Sequence, residues 1–132
     1  MECIIDTNVI VDYILLDSEN HARAENELRK IERGFLPTVV VEELAHVLGH
    51  LKLNKKTIEE KLRETLSSYE VLSLGEENLI GAVKMIMKED AASFNRFNDK
   101  AILSAAKARA LPLLTFDQNL IKECEANGVK TF

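Results

Sequence analysis

Hydrophobic residues occur along this sequence in two patterns, as short apolar or alternating runs and as longer stretches with a helical period. The short runs predict buried strands at 2–5, 35–36, 69–74, 113–116 and 129–132. The longer stretches predict helices over 9–15, 20–33, 38–51, 57–67, 75–88, from 98 onward, and over 117–126. Strands that alternate with helices favour a parallel sheet covered on both faces. We therefore expect an α/β fold, a three-layer sandwich whose central, mostly parallel sheet of four or five strands is flanked by helices.

The run Val39-Val40-Val41 carries a mixed signal, because β-branched residues favour a strand. The apolar positions around it, however, recur with the period of a helix at Val40, Leu44, Leu48 and Leu51. We predict a helix that Thr38 caps and that ends near Leu51.

A polar loop is predicted from Glu89 to Phe97, before the helix that Asn98 is expected to cap. The predicted buried face of that helix is small, consisting of Ala101, Ala105 and Ala108. Small residues allow the backbone of a helix to lie close to a sheet.

Length and composition indicate one globular domain spanning residues 1–132. Hydrophobic residues make up 46% of the chain and charged residues 30%, which excludes a disordered or membrane-embedded class. Seventeen Lys and Arg against 22 Asp and Glu give a formal net charge of −5. That balance argues against a protein that binds nucleic acid through bulk electrostatics alone. It is compatible with one that handles phosphates through bound divalent cations.

The cysteines and the N-terminus indicate a cytoplasmic protein. Cys3 and Cys124 lie at opposite ends of the chain and have no C-x-x-C spacing, so we expect buried, reduced thiols. The run Cys3-Ile4-Ile5 is too short for a signal peptide. No stretch approaches the roughly 18 apolar residues of a membrane span.

Acidic residues follow two of the predicted strands. Asp6 comes directly after the first strand and Asp117 after the strand at 113–116, while Asp99 lies in the first turn of the preceding helix. Ligands of open parallel sheets bind at the carboxyl ends of the strands. Carboxylates that meet there repel one another unless a hard divalent cation neutralises them. Singly, each acid is explained as a helix cap; together they predict a Mg²⁺ site, with Mn²⁺ as the alternative ion.

A fourth carboxylate comes from the pair Glu42-Glu43. On a helical wheel Glu43 lies about 40° from Val47, at the edge of the apolar face, whereas Glu42 points away from Leu44. A ligand must reach inward past the edge of the core, so we select Glu43. Glu42 is the alternative if the register of the helix differs.

These residues resemble the motifs of the PIN domain family, in order and spacing, over nearly the whole chain. The matching segments are Ile4-Ile5-Asp6-Thr7-Asn8-Val9, Val41-Glu42-Glu43-Leu44, Asn98-Asp99-Lys100-Ala101-Ile102 and Leu114-Thr115-Phe116-Asp117. The resemblance implies a metal-dependent endoribonuclease that hydrolyses RNA phosphodiester bonds. Carried over by position, its four metal-binding, catalytic acids are Asp6, Glu43, Asp99 and Asp117. Asn8 and Thr115 would be the supporting polar residues that orient ligands or waters.

The short length further resembles the VapC-type toxins of this family. That resemblance implies an RNA substrate, an antitoxin protein that holds the enzyme inactive, and a homodimer. A stand-alone PIN nuclease with another role in RNA processing is the first alternative. A non-catalytic module that binds RNA or protein is the second.

Other chemistries on a similar sheet are disfavoured by particular residues. A phospho-acceptor receiver domain would need an acidic pair after the first strand and a late Lys, and neither is evident. A dehalogenase-type phosphatase would need an Asp where Asn8 stands.

Several further residues have a structural and a functional interpretation. His46 and His50 have the four-residue spacing of a zinc pair but are expected to be surface histidines. Phe94 and Phe97 are expected to hold the polar loop against the core rather than to stack on a base. Arg96 and Lys100 are expected to be ordinary surface charges rather than contacts to RNA.

Overall fold

The computed structural model describes residues 1–89 and 94–132, and within them an α/β fold with a parallel four-stranded sheet. The sheet order is β3-β2-β1-β4. The strands are β1 Glu2–Ile5, β2 Arg33–Pro37, β3 Glu70–Leu72 and β4 Leu113–Leu114. The helices are α1 Thr7–Ile14, α2 His21–Arg29, α3 Thr38–His50, α4 Lys55–Ser68, α5 Glu76–Met87, α6 Phe97–Arg109 and α7 Gln118–Ala126, with one 3₁₀ turn at Phe94–Arg96. The fold agrees with the sequence-based prediction of helices around a parallel sheet.

Strand β1 lies in the middle of the sheet and positions the rest of the fold. It pairs with β2 through Ile4 and Phe35 and with β4 through Ile5 and Leu114. Cys3, Ile4 and Ile5 are fully buried, as expected for a central parallel strand covered on both faces.

Helix α6 is the most deeply buried helix. Seven consecutive residues, Lys100–Ala106, are inaccessible or nearly so, which means that α6 is covered on every side over two turns. Helix α5 packs closely against it, because a Cβ at Gly81 would lie 2.2 Å from Ser104 Oγ. The predicted small face is only partly correct, since Ala101 and Ala105 are buried but Ala108 is exposed.

Several element boundaries differ from the predicted ones. Helix α2 ends at Arg29 rather than Arg33, because Arg33 and Gly34 belong to β2, and Gly34 pairs with Cys3. A Cβ at Gly34 would lie 2.7 Å from side-chain atoms of Ile5 and Tyr69, so this glycine permits a close approach within the sheet.

The structure also corrects two predictions in the second half of the chain. The last predicted strand is reduced to a single bridge between Leu113 and Thr131. Helix α6 begins at Phe97, so Asn98 is inside the first turn and is not the cap. The predicted loop Glu89–Phe97 lies partly outside the described residues.

Two expectations drawn from composition can be compared with the structure. Cys3 and Cys124 are both buried free thiols. In the described part of the chain, none of the helices has the length and apolar character needed to cross a bilayer.

Candidate functional site

The candidate site lies where β1 and β4 end side by side. The pairing of Ile5 with Leu114 places the next residues of each strand, Asp6 and Thr115, next to each other. The backbone N–H of Asp6 continues this ladder by donating to the Leu114 carbonyl at 2.9 Å. Parallel pairing thus brings together two polar residues that are 109 positions apart in sequence.

Asp6 is 5% exposed, and its carboxylate accepts three hydrogen bonds. Its Oδ1 accepts from the Thr7 N–H at 2.8 Å, which makes Asp6 the N-cap of α1. Its Oδ2 accepts from Thr115 Oγ1 at 2.7 Å and from Asn8 Nδ2 at 3.2 Å. The capping role considered from the sequence is therefore real, but it engages only one of the two carboxylate oxygens.

Asn8 connects the two strand ends through both atoms of its amide group. Its Nδ2 donates to Asp6 and to Thr115 Oγ1, the latter at 3.3 Å. Its Oδ1 accepts from the backbone N–H of Phe116 at 3.0 Å. Asn8 and Thr115 thus form the polar support beneath the Asp6 carboxylate.

Asp117 extends the same network and begins α7. Its backbone N–H donates to Thr115 Oγ1 at 3.1 Å. Its Oδ1 caps the helix by accepting from the N–H groups of Asn119 and Leu120. The capping function therefore rests on Oδ1 alone.

Glu43 reaches the site from α3, and its neighbour Glu42 is exposed. Glu43 Oε2 accepts from the Thr7 hydroxyl at 2.9 Å. Glu43 Oε1 accepts from Asn98 Nδ2 at 3.2 Å, a contact between α3 and the first turn of α6. Thr7 therefore joins the Asp6 end of the site to Glu43, and Asn98 joins Glu43 to the turn that carries Asp99.

Asp99 is held by a chain of ion pairs rather than by strand pairing. Arg96 lies 3.3 Å from the Asp99 carboxylate and 2.6 Å from that of Glu123. Glu123 also pairs with Lys100 at 3.1 Å, and Lys100 contacts Glu89. This chain fixes the first turn of α6 against α7.

Burial and the charges of neighbouring candidate acids both act on Asp6 and Asp99. Burial raises the pKa of Asp6 to about 6, against the hydrogen bonds from Thr115 and Thr7, and the charges of Asp99 and Glu43 raise it further. Burial also raises the pKa of Asp99; Arg96 opposes the rise, and the charges of Asp117 and Glu43 add to it. The charges of these acids therefore act on one another's region of the fold at Asp6 and Asp99.

The donor chemistry of this region fits a hard divalent cation. Carboxylate oxygens are the ligands that Mg²⁺ prefers, and a cation would relieve the mutual repulsion of these carboxylates. Within residues 1–89 and 94–132, no three Asp, Glu, His or Cys side chains stand close enough to form a ready-made metal site. The acids share one region without being drawn into a compact ligand cluster.

Three further polar residues contribute contacts at the site, although the sequence did not predict these contacts. They are Thr7, Asn98 and Glu123. Thr7 and Asn98 lie within the matched motif segments, so their adjacency to Asp6 and Asp99 was a usable signal. Glu123 lies mid-helix among other charges, and no pattern in the sequence marks it.

Arg96 and Lys100 were expected to be ordinary surface charges, and that expectation is wrong. Lys100 is 4% exposed and Arg96 is half-buried, and both are committed to ion pairs. Phe94 is 55% exposed, so the expectation that it holds the loop against the core is wrong, whereas Phe97 is half-buried.

The histidine pair of α3 was expected at the surface. His46 and His50 are both exposed there, in agreement with that expectation.

Comparison with known proteins adds a family and several structural relatives. The family model of the PIN domain matches residues 3–125. The solved structure of FitAcB from Neisseria gonorrhoeae is similar, with a TM-score of 0.74 and 25% identity over 100% of this chain and 96% of that one. No curated protein matches the chain in a sequence search.

Two solved structures with lower sequence identity share the fold. VapBC2 from Rickettsia felis, bound to a DNA fragment from its promoter, has a TM-score of 0.73 and 22% identity over 100% of this chain and 98% of that one. Mycobacterium tuberculosis VapC20, a toxin that cleaves the sarcin-ricin loop, has a TM-score of 0.77 and 12% identity over 92% of this chain and 94% of that one.

Proposed function

Because the chain belongs to the PIN domain family, we propose that it is a divalent-metal-dependent endoribonuclease that hydrolyses RNA phosphodiester bonds. The observation that carries this proposal is the hydrogen-bond network at one end of the sheet. Thr115 joins Asp6 to Asp117 in this network, and Glu43 accepts from Thr7, next to Asp6, and from Asn98, next to Asp99. Acids that only capped helices would have no reason to converge there from four different elements.

The acids have distinct roles in this proposal. Asp6, Glu43 and Asp117 hold Mg²⁺, or Mn²⁺, directly or through water, and Asp99 completes the site or positions the attacking water. When bound, the ion lowers the pKa of a water molecule and stabilises negative charge on the phosphate oxygens. Asn8 and Thr115 keep the Asp6 carboxylate in place by donating hydrogen bonds to it.

We further propose that the enzyme is the toxin of a type II toxin-antitoxin pair and acts in the cytoplasm. FitAcB, VapBC2 and a toxin-antitoxin complex from Klebsiella pneumoniae support this, since their similarity extends over at least 90% of this chain. An antitoxin partner and a homodimer belong to the same proposal. A PIN nuclease that processes RNA outside such a pair is the alternative, and co-purification with the product of an adjacent gene distinguishes the two.

The deciding experiment is cleavage of a structured RNA pool by the purified protein in Mg²⁺, in Mn²⁺ and in EDTA. Asp6→Asn and Asp99→Asn are tested beside the wild type, and Asp17→Asn is the matched control because Asp17 is exposed and outside the site. We expect cleavage that needs a divalent ion, survives in the control and is lost in both site variants.

Two results would contradict the proposal. Equal cleavage by the wild type and both site variants would place the chemistry elsewhere. Absence of cleavage with either ion, while the folded protein still binds the same RNA, would favour the non-catalytic alternative.

A further inference from the structure

Four of the eleven lysines of this acidic chain line one cleft between α5 and α6. The cleft has a volume of about 480 Å³ and is lined by Lys84, Lys88, Lys100 and Lys107, with Glu89 as its only carboxylate among the described residues. Since the formal net charge of the protein is −5, this cleft is a local reversal of the overall charge.

Three of these lysines are available to a ligand. Lys84, Lys88 and Lys107 are exposed and form no ion pair within the part of the chain that the structure describes. Lys100 differs, because it is buried and paired with Glu89 and Glu123. We call Lys84, Lys88 and Lys107 the lysine row.

The register of the two helices gives the direction of this row. Gly81 lies against Ser104, and Glu89 contacts Lys100, so α5 runs antiparallel to α6. Lys88, next to Glu89, is therefore level with the start of α6, where Asp99 lies. The row then leads away from the acidic site, through Lys84, toward the end of α6 that carries Lys107.

A continuous chain of ion pairs links the edge of the cleft to the acidic site. Asp99 pairs with Arg96, Arg96 with Glu123, Glu123 with Lys100, and Lys100 with Glu89 at the edge of the cleft. The cleft is thus anchored to the same helical turn as a proposed catalytic acid.

We propose that Lys84, Lys88 and Lys107 bind the phosphate backbone of the RNA next to the bond that is cut. The inference rests on the proposed ribonuclease function and adds the path of the substrate. An ammonium group on a flexible stem binds phosphate as a point charge, without reading the base. The row therefore holds and orients the strand, and it leaves sequence selection to other contacts.

This cleft also explains how an acidic protein holds a polyanion. Each lysine that neutralises a phosphate of single-stranded RNA releases condensed counterions, which contributes about 0.7 to the slope of log affinity against log salt concentration. Three lysines contribute about 2 to that slope. Net charge, in contrast, describes the average over the surface and not the local potential along one cleft.

The test measures the binding of a mixed-sequence, single-stranded RNA in EDTA. Fluorescence anisotropy gives the affinity at several salt concentrations. The cleft variant carries Lys84→Gln, Lys88→Gln and Lys107→Gln. The control variant carries Lys52→Gln, Lys55→Gln and Lys56→Gln at three exposed positions in and before the first turn of α4, and it undergoes the same change in net charge.

We expect the cleft variant to bind about tenfold or more weakly at low salt and its salt slope to fall by about 2, while the control keeps its slope. In the Mg²⁺ cleavage assay the cleft variant should show a raised KM with kcat retained. The single substitutions Lys84→Gln and Lys107→Gln should each lower the salt slope by about 0.7. They provide the same test if the triple variant does not fold.

The possible failures are distinguishable from one another. Equal loss of affinity in the cleft and control variants would mean that only net charge matters, and would overturn the lysine row alone. Unchanged RNA binding by the cleft variant would also overturn the lysine row and leave the ribonuclease function standing. A wild-type protein that neither binds nor cleaves RNA would overturn both the row and the ribonuclease function.

Discussion

The Thr115 hydroxyl donates a 2.7 Å hydrogen bond to the Asp6 carboxylate, although the two residues are 109 positions apart in the chain. Thr115 is 1% exposed, and its oxygen also accepts from Asn8 Nδ2 and from the backbone N–H of Asp117. A single hydroxyl thus joins the ends of β1 and β4 and contacts two of the proposed catalytic acids.

Replacement of this hydroxyl should impair both stability and cleavage. Thr115→Val keeps the shape but removes the donor to Asp6 and leaves Asn8 and Asp117 without their acceptor. We expect the free energy of unfolding to fall by about 1–3 kcal/mol and the cleavage rate by about 10- to 100-fold. Urea unfolding and single-turnover cleavage measure the two effects. Thr115→Ser retains the hydroxyl and should stay close to the wild type; equal damage by both substitutions would show that packing, not hydrogen bonding, is responsible.

The adjacent glutamates of α3 offer a matched pair of variants. Glu43 accepts from Thr7 and Asn98 near the other acids, whereas Glu42 is exposed. Glu43→Gln should lower kcat strongly, and Glu42→Gln should leave it within about twofold, because the two changes are chemically identical and differ only in position. Cleavage kinetics under saturating Mg²⁺ test this directly. A larger loss in Glu42→Gln would mean that the wrong face of α3 has been assigned to the site.

Divalent ions should stabilise the folded protein. An ion that binds only the folded state adds about 1.4 kcal/mol to the free energy of unfolding at ten times its Kd. We therefore expect MgCl₂ to raise Tm by several degrees in a thermal melt, relative to EDTA. Asp6→Asn should lose most of this gain, and Asp17→Asn should keep it. An equal gain in all three proteins would indicate a nonspecific effect of the salt.

The two thiols should react only when the protein unfolds. Cys3 and Cys124 are fully buried, and burial raises the pKa of Cys3 to about 12 and that of Cys124 to about 11. Because these values lie above the unfolded value of 9.0, the stability they contribute is complete below pH 9 and is lost as the pH rises through the folded values.

Two measurements check this behaviour. A disulfide-exchange reagent at pH 8 should label neither thiol of the native protein and both thiols in urea. The urea midpoint should decline from about pH 9 upward, and less steeply in Cys124→Ala. Rapid labelling of the folded protein at pH 8 would show that the thiols are accessible.

Helix and strand positions could be predicted well where the evidence was local. The helical period of α3 outweighed its β-branched run, and the observed helix, Thr38–His50, ends one residue before the predicted end. Thr38 is its first residue and not the predicted cap, because its hydroxyl donates to the Leu72 carbonyl instead. The errors occurred where pairing with a residue far away in the sequence decides the secondary structure. Arg33 and Gly34 have the local appearance of a helix end, but their pairing with Glu2 and Cys3 makes them part of β2.

The placement of the acids could be predicted in part. Asp6 and Asp117 follow strands in the sequence, so their location at one edge of a parallel sheet was foreseeable. The hydrogen bond from Asn98 to Glu43 could not be foreseen, because it spans 55 positions. Capping of α6 was predicted instead, since a cap is inferred from the nearest residues alone.

The sequence by itself determined most of the strands and helices, and that carboxylates follow two of the strands, because both depend on residues within a few positions of each other. Only the tertiary structure decided that β4 lies beside β1, that Arg96, Glu123 and Lys100 form one chain of ion pairs, and that the lysine row lines one cleft. These relationships join residues from separate elements. They arise from the packing of the whole hydrophobic core, which no local pattern of residues encodes.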